Sequence, residues 1–426
     1  MDCPTRERAG WTGDAQIFAP SAMRLMDVQA YFRRYLRNVA AEQREDGRIP
    51  GYVPADDPKS TQLRGMSKWT VENSMSSAGW GDAAVLIPWE MYRSYGDEAI
   101  LEEQWDSIVR WVERGRRESA RQRGRGRWLQ KSVGRLEQYI YGGGFHYGEW
   151  IRPKENPSLE LIGLIARPPS VVATAYLEHS ARIASAIAGV LGKNSAQADY
   201  LQLADNVRAA WQAAFVRREG SRIGDDKQDD YVRALAFDLL PESFRQAAVD
   251  RLVELIRNAG NHLGTGFLST ALLLPTLARF GREDVALDLL LQDTVPSWLY
   301  QVQRGATTTW ESWEGFDKRG RGRASHNHYS FGAVVQWLVE GLAGLAPAEP
   351  GFRRLHIEPV VGSSITSASA SVVTPYGRAS SSWHIVGGEV RLSVEVPRGT
   401  TAEVHTGPGE VHEASAGLHE FHWRLP

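Results

Sequence analysis

Cysteine is almost absent from this sequence, with Cys3 as its single representative in 426 residues. One thiol cannot form an internal disulfide, and a zinc site built on several cysteines is excluded as well. A chain without disulfides is typical of a reducing compartment. Its stability must come from a hydrophobic core, and a hydrophobic content of 42% over this length is sufficient for a large one.

A surplus of charge is also lacking, because 49 basic and 51 acidic residues leave a net charge of −2. Without a basic face, neither nucleic acid nor an anionic membrane is an expected partner. No apolar run reaches the roughly 20 residues that span a bilayer. The N-terminus lacks the charged and apolar regions of a signal peptide, which favours a cytoplasmic location. Because a dense motif follows Met1 directly, an upstream targeting segment is left open.

Most of the chain has the spacing of apolar residues that is typical of helices. The loops between the helices contain the tryptophans and acidic residues, which favours helical hairpins around one axis with a loop-built site at one end. We therefore predict a mainly α protein with an (α/α)6 barrel of six hairpins. The predicted helices are 23–41, 83–95, 99–114, 172–191, 196–215, 230–239, 244–259, 266–280, 283–290 and 330–343.

After residue 346 the pattern changes to short runs in which polar and apolar residues alternate, separated by glycine and proline turns. This pattern predicts a small antiparallel β-sandwich. The chain is thus divided into a helical domain, 1–346, and a C-terminal β-sandwich domain, 347–426. The predicted strands are 355–357, 368–373, 379–385, 389–396 and 402–405.

Fifteen tryptophans are present, and many lie beside acidic residues or glycines. Aromatic rings bind the apolar face of a sugar and carboxylates bind its hydroxyls, so this pairing favours a carbohydrate site. The motif DCPTRERAGWTGDAQ, residues 2–16, crowds three carboxylates into a stretch that we predict to be too glycine-rich for a helix. Crowded carboxylates and a nearby ring favour a protonated acid. Glu7, four residues before Trp11, is the predicted general acid.

The motif GATTTWESWEGF, residues 305–316, lies near the other end of the predicted barrel. Closure of a barrel brings its first and last hairpins together, so a base from this motif can face the acid. An inverting glycoside hydrolase needs such a base about 6.5–9.5 Å from the acid, with a water molecule between them. Glu311, which follows Trp310, is the predicted general base, and Glu314 is predicted to be peripheral.

Five motifs in this order resemble those of the bacterial α-L-rhamnosidase family. They are DCPTRERAGWTGDAQ, GWGDAAVLIPWEMYRSYGD, GEW, PSWLYQVQRGATTTWESWEGF and HNHYSFGAVVQWL. The tail RRLHIEPVVG, followed by TPYGRASSSW, is similar to that family's C-terminal β-domain, so the resemblance covers nearly the whole chain. It implies a six-hairpin catalytic domain and inverting hydrolysis of terminal α-L-rhamnosides in glycosides or polysaccharides.

The resemblance also implies roles for individual residues. Glu7 would be the acid and Glu311 the base, Asp2 and Asp14 would bind sugar hydroxyls, and Arg6 would orient the carboxylates. Trp11, Trp80 and Trp150 would form the walls around the rhamnosyl ring. His328 would reach a hydroxyl. No metal ion and no other cofactor is expected. Members of the family have a helix before the first motif, so we expect this barrel to lack its first helix.

Two other functions are left open by the sequence. The same barrel occurs in other glycosidases and in polysaccharide lyases. If this chain were a lyase, Tyr329 or His328 would serve as its base, near an arginine. Glu7 and Glu311 would then have no purpose. Alternatively, the chain is a carbohydrate-binding remnant without turnover. Assays with p-nitrophenyl α-L-rhamnoside separate these functions, whereas the aglycone, the linkage and the oligomeric state are not determined by the sequence.

Overall fold

A computed structural model describes residues 3–55, 77–121, 133–155, 163–164, 169–362, 364–407 and 409–425. The N-terminal part of the chain is helical, as predicted. Its helices are α1 (Thr12–Leu25), α2 (Gln29–Glu42), α3 (Ala83–Tyr95), α4 (Glu98–Arg121), α5 (Ser170–Val190), α6 (Asn194–Phe215), α7 (Gln228–Ala236), α8 (Glu242–Asn258), α9 (Phe267–Arg279), α10 (Glu283–Leu290), α11 (Trp298–Gln303) and α12 (Val334–Trp337). A 3₁₀ turn, Ser330–Ala333, precedes α12, and a π-helical turn, Leu338–Leu342, follows it.

Six of these helices form a closed inner ring. In the order α1, α3, α5, α7, α9 and α12, each contacts the next, and α12 contacts α1. They are apolar or small on nearly all sides, and 14 of the 21 residues of α5 are buried. This ring confirms the predicted barrel. Because an outer helix returns the chain between successive inner helices, the inner helices run in parallel and the loops that enter them lie at one end.

The outer helices cover this ring with one apolar stripe each. In α6 the buried residues recur at three- and four-residue spacing, including Leu203, Val207 and Ala210, while its other face is polar. Helix α6 packs on α5, α8 packs on α7, and α10 packs on α9. The buried residues of α6 thus follow the apolar periodicity of its sequence.

The prediction for the first two helices was wrong. A single helix was expected over 23–41, after a glycine-rich motif without helical structure, whereas α1 begins inside the motif at Thr12 and ends at Leu25. A second helix, α2, then follows a break at Met26, whose backbone is extended. The motif is helical because Gly13 packs on the indole of Trp80, where an added Cβ would lie 2.7 Å from the ring. Only tertiary packing decides this.

The C-terminal domain consists of two four-stranded sheets that enclose a separate apolar core around Trp383. A short hairpin in the helical domain, with two residues in each strand, provides β1 (Val216–Arg217) and β2 (Arg222–Ile223). The strands of the C-terminal domain are β3 (Leu345–Pro347), β4 (Arg354–Ile357), β5 (Ser367–Thr374), β6 (Gly377–Val386), β7 (Glu389–Val396), β8 (Thr401–Thr406), β9 (Glu410–Ala414) and β10 (Gly417–Arg424).

One sheet has the order β10-β7-β6-β5 and is antiparallel throughout. The other has the order β3-β4-β8-β9, in which β4 and β8 are parallel and the remaining pairs are antiparallel. The domain packs on the last turn of the barrel. There, the Trp383 indole donates to the carbonyl of Leu342 at 2.8 Å, and the Ser381 hydroxyl donates to the carbonyl of Ala343 at 2.6 Å.

Among the helices of the described residues, none combines the length and the hydropathy that crossing a bilayer requires.

His146 joins two of the loops at the motif-bearing end of the barrel. Its Nδ1 accepts a hydrogen bond from the backbone N–H of Ala78 at 2.9 Å, so the proton of the neutral ring is on Nε2, which donates to the carbonyl of Gly143 at 2.9 Å. Ser77 reinforces the junction, since its hydroxyl accepts from the N–H of Tyr147 at 3.0 Å. Burial lowers the pKa of His146 to about 4. The protonated ring could not accept from Ala78.

We therefore predict that His146 makes the fold sensitive to acid. An unfolded histidine has a pKa near 6.5, so between about pH 6.5 and pH 4 the unfolded state binds more protons at this residue and stability falls as pH falls. Relative to a His146→Asn variant, the wild type should lose about 1–2 kcal/mol between pH 7 and pH 5. Urea unfolding at both pH values measures this difference.

The matched control is His419→Asn, because His419 is partly exposed on β10 and, within the described residues, its side chain is hydrogen-bonded to the carbonyl of Ser415. This variant should follow the wild-type pH dependence. Equal slopes for the wild type and His146→Asn would contradict the assignment.

Candidate active site

The two glutamates singled out in the sequence meet at one guanidinium group. Arg6 contacts Glu7 through Nη1, 2.9 Å from Oε1, and contacts Glu311 through Nη2, 2.6 Å from Oε2. Glu7 belongs to the loop that enters α1, and Glu311 belongs to the loop that precedes α12. Closure of the ring brings these loops together, because α12 packs on α1. The two carboxylates therefore contact the two terminal nitrogens of the Arg6 side chain.

Glu311 is the more enclosed of the two, with 11% of its side chain exposed against 29% for Glu7. Its Oε2 accepts a second hydrogen bond from the backbone N–H of Ser325 at 2.8 Å, and its own N–H donates to the carbonyl of Ser325 at 2.9 Å. The Ser325 hydroxyl accepts from Arg6 Nε at 2.8 Å and shares a hydrogen bond with the thiol of Cys3. Donors thus hold Glu311 in one orientation.

Glu7 is held by a neighbour in its own loop. The Trp11 indole N–H donates to Glu7 Oε2 at 2.7 Å, so both oxygens of Glu7 have a donor. Arg8, with φ of 56°, turns the chain between these residues through the left-handed region. Strained backbone of this kind is common where a loop must aim a side chain at a site. The loop therefore presents Glu7 and the ring of Trp11 side by side.

An aromatic cluster continues from Trp11 around Tyr147. The Tyr147 ring centroid lies 6.0 Å from that of Trp11, 4.6 Å from that of Trp80 and 5.3 Å from that of Trp150. Trp80 is 3% exposed, whereas Trp11 and Trp150 are partly exposed. The structure thus brings together all three tryptophans expected around a sugar. Tyr147 was not singled out in the sequence, although its position immediately before the GEW motif was a usable signal.

The loop that carries Trp150 is fixed by a buried charge. Glu149 accepts hydrogen bonds from the N–H groups of Gly266 and Ser269, at 3.0 and 2.8 Å, and it forms an ion pair with Arg233. Burial raises the pKa of Glu149. The carbonyl of Trp150 accepts from Phe267 N–H at 3.0 Å, which fastens the loop to the start of α9. Sequence reasoning treated Glu149 only as part of a motif and missed this anchoring.

Asp14, in the first turn of α1, lies beside His328, in the loop that precedes α12. Nε2 of His328 is 3.4 Å from Asp14 Oδ1, and both side chains are nearly buried. The other ring nitrogen of His328 contacts the Ser330 hydroxyl at 2.9 Å. Their predicted roles toward sugar hydroxyls stay predictions. Asp2, predicted to act with Asp14, lies outside the described residues.

The two tryptophans of the second motif are buried. Trp313 stacks on Phe331 with 4.2 Å between ring centroids, and Trp310 stacks on His326 with 4.8 Å. Glu314 points away from Arg6, and its Oε1 accepts from the backbone N–H of Lys154 at 3.1 Å. The two glutamates of the WESWE sequence are therefore in different surroundings.

Comparisons with known proteins agree with this fold. The sequence model of the bacterial alpha-L-rhamnosidase six-hairpin glycosidase domain matches residues 1–342, and that of the bacterial alpha-L-rhamnosidase C-terminal domain matches residues 344–419. An alpha-L-rhamnosidase of Formosa agariphila is 37% identical over 415 residues, and the match covers 95% of this chain and 40% of that protein. The chain therefore spans about two fifths of the length of this curated relative.

Two solved structures are similar along the whole chain. The Streptomyces avermitilis alpha-L-rhamnosidase complexed with L-rhamnose has a TM-score of 0.83 at 34% identity, over 100% of this chain and 39% of that one. The native alpha-L-rhamnosidase from Aspergillus terreus has a TM-score of 0.84 at 33% identity, over 99% of this chain and 46% of that one. The predicted resemblance is thereby confirmed, and the chain belongs to the bacterial α-L-rhamnosidase family.

Proposed function

We propose that this chain hydrolyses terminal α-L-rhamnosides in glycosides or polysaccharides with inversion at the anomeric carbon. The observation that carries the proposal is the contact of Glu7 and Glu311 with the same guanidinium group of Arg6. Membership of the family supports the reaction class. The names of the relatives support rhamnosides as substrates, and the complex of a related structure with L-rhamnose supports the rhamnosyl ring as the bound group.

In this proposal Glu7 is the general acid. It is the more exposed of the pair, so it is the one that reaches the glycosidic oxygen of an entering substrate. Transfer of its proton to that oxygen leaves a carboxylate, and Arg6 Nη1 and the Trp11 N–H then stabilise the new negative charge. The bond between the anomeric carbon and the leaving oxygen breaks as the proton arrives.

Glu311 is the proposed general base. The N–H of Ser325 and Nη2 of Arg6 both contact its Oε2, so Oε1 is assigned to the attacking water. Oε1 takes a proton from water while the water oxygen bonds to the anomeric carbon from the face opposite the leaving group. Both catalytic roles are thus filled by carboxylates of this chain.

The aromatic cluster is the proposed wall of the sugar site. Trp11 and Trp150 are partly exposed and suit stacking on a rhamnosyl ring, which carries a methyl group at C5 in place of a hydroxymethyl group. Trp80 and Tyr147 support these rings from behind. Asp2, Asp14 and His328 are proposed to bind hydroxyl groups.

We predict that Glu7→Gln and Glu311→Gln each lower kcat/KM for an alkyl α-L-rhamnoside by about 10²–10⁴-fold, the usual contribution of a general acid or base. The two variants should differ with p-nitrophenyl α-L-rhamnoside. Its leaving group departs readily without a proton, so Glu7→Gln should lose less on this substrate than on the alkyl rhamnoside. Glu311→Gln should lose equally on both, because attack by water is required in either case.

Glu314→Gln is the matched control, since it changes the same chemical group three residues after Glu311 but contacts Lys154 instead of Arg6. Its turnover should equal that of the wild type. Undiminished turnover in either of the other two variants would refute the assigned roles. A folded wild-type chain without turnover would favour a carbohydrate-binding function.

We also predict that the first product is β-L-rhamnose. Attack by water from the face opposite the leaving group inverts an α-linked substrate. Proton NMR spectra taken in the first minutes of hydrolysis, before mutarotation, distinguish the anomers. The appearance of the α-anomer first would indicate retention and would rule out Glu311 as a base that acts through water.

A further inference from the structure

A polar face of the C-terminal domain looks toward the barrel. In the parallel pair of β4 and β8, the alternate residues Leu355, Ile357 and Val404 are buried in the core of the β-domain. The residues between them are only partly buried and lie on the opposite face. Two of these, His356 and His405, line a cavity of about 1290 Å³ between the two domains, and neither Glu7 nor Glu311 is among the residues that line it.

Three side chains on this face form a compact group. His356 and Glu403 are direct partners in the register of the two strands, and His405 follows Glu403 by two residues, so all three project from the same face. Nδ1 of His356 lies 2.7 Å from Glu403 Oε1, and Nε2 of His405 lies 4.0 Å from the same oxygen. One donor atom from each residue lies within 4.8 Å of the other two.

The outer atoms of this group are held by further side chains. Glu358 Oε2 is 3.0 Å from Nε2 of His356, and its Oε1 is 3.8 Å from Nδ1 of His405. Arg354 contacts Glu403 through the other carboxylate oxygen, Oε2, at 3.1 Å. A carboxylate on the far nitrogen of an imidazole is the usual partner of a metal-binding histidine, because it fixes the orientation of the ring.

We propose that His356, Glu403 and His405 form a binding site for one divalent transition-metal ion, with Zn²⁺ as the best match. Two imidazole nitrogens and one carboxylate oxygen suit Zn²⁺, Cu²⁺ or Ni²⁺, whereas Ca²⁺ and Mg²⁺ require mainly oxygen ligands. The ligating atoms are Nδ1 of His356, Oε1 of Glu403 and Nε2 of His405. Glu358 orients both rings, and the fourth position is open to the cavity.

The group needs little rearrangement to bind an ion. Ligands at 2.0–2.1 Å in a tetrahedron lie about 3.4 Å apart, so the widest separation here must close by roughly 1.4 Å. His405 is the side chain free to make this movement, since its contacts with Glu358 and Glu403 are long, at 3.8 and 4.0 Å. The backbone can remain in place, because β4 and β8 are the two central strands of their sheet.

The proposed ion would connect strands whose ligands are 47 positions apart in the sequence. β4 leads directly into the segment that packs on the barrel, where the N–H of Glu358 donates to the carbonyl of Gly344 and that of Val360 donates to the carbonyl of Gly341. Binding would therefore stabilise the junction between the domains. The site takes no part in the proposed hydrolysis, so its test is independent of activity.

The test is a titration of the untagged, chelator-treated chain with Zn²⁺ by calorimetry, with Co²⁺ absorption as a second readout of ligand geometry. We expect one equivalent of Zn²⁺ to bind with a dissociation constant of about 1 μM or lower, and no comparable binding of Ca²⁺. His405→Ala should weaken Zn²⁺ binding at least about 100-fold, and Glu358→Gln should weaken it about 10-fold.

His419→Ala is the control, because His419 is a partly exposed histidine on β10, in the other sheet of the same domain. It should bind Zn²⁺ as the wild type does. Circular dichroism of the metal-free variants checks their folding, which His405→Ala should retain because the contacts it removes are long. Failure of the wild type to bind Zn²⁺, or equal binding by the wild type and both His405→Ala and Glu358→Gln, would overturn the proposal.

Discussion

The contact of Arg6 with Glu7 and Glu311 is the interaction on which the candidate site depends. Arg6 and Glu311 are 305 positions apart, so their ion pair exists only because the inner ring closes between α12 and α1. Without the guanidinium group, two carboxylates close together would repel each other. Arg6 thus allows the carboxylates of Glu7 and Glu311, which come from the two ends of the helical domain, to lie in one site.

Around this contact, the fold holds the loops by several different interactions. Gly13 admits the indole of Trp80, His146 fastens two loops through its neutral ring, and Glu149 secures the Trp150 loop to α9. These residues are buried, and they act on the orientation of the loops. A site assembled from loops requires such support, since an error of about 1 Å in the position of a reacting group is costly.

In the C-terminal domain, polar residues are brought together in a different way from those of the barrel. In the barrel, the ends of parallel helices bring motif residues together, whereas in the β-domain the register of β4 and β8 places His356 beside Glu403. A strand offers one side chain every second residue on each face, so His405 joins the same group. The two domains therefore carry separate clusters, one at each end of the inner ring.

The sequence by itself determined the fold class, most helices and five strands, and it singled out the two glutamates that the structure brings to Arg6. These features depend on local periodicity and on contiguous motifs, which a chain carries wherever it folds. Only the tertiary structure decided that Thr12 begins a helix, that Tyr147 is the centre of the aromatic cluster, and that β4 pairs in parallel with β8. Each of these depends on contacts between distant segments, which local composition does not determine. Those contacts are set by the closure of the inner helical ring and by the register of the strands.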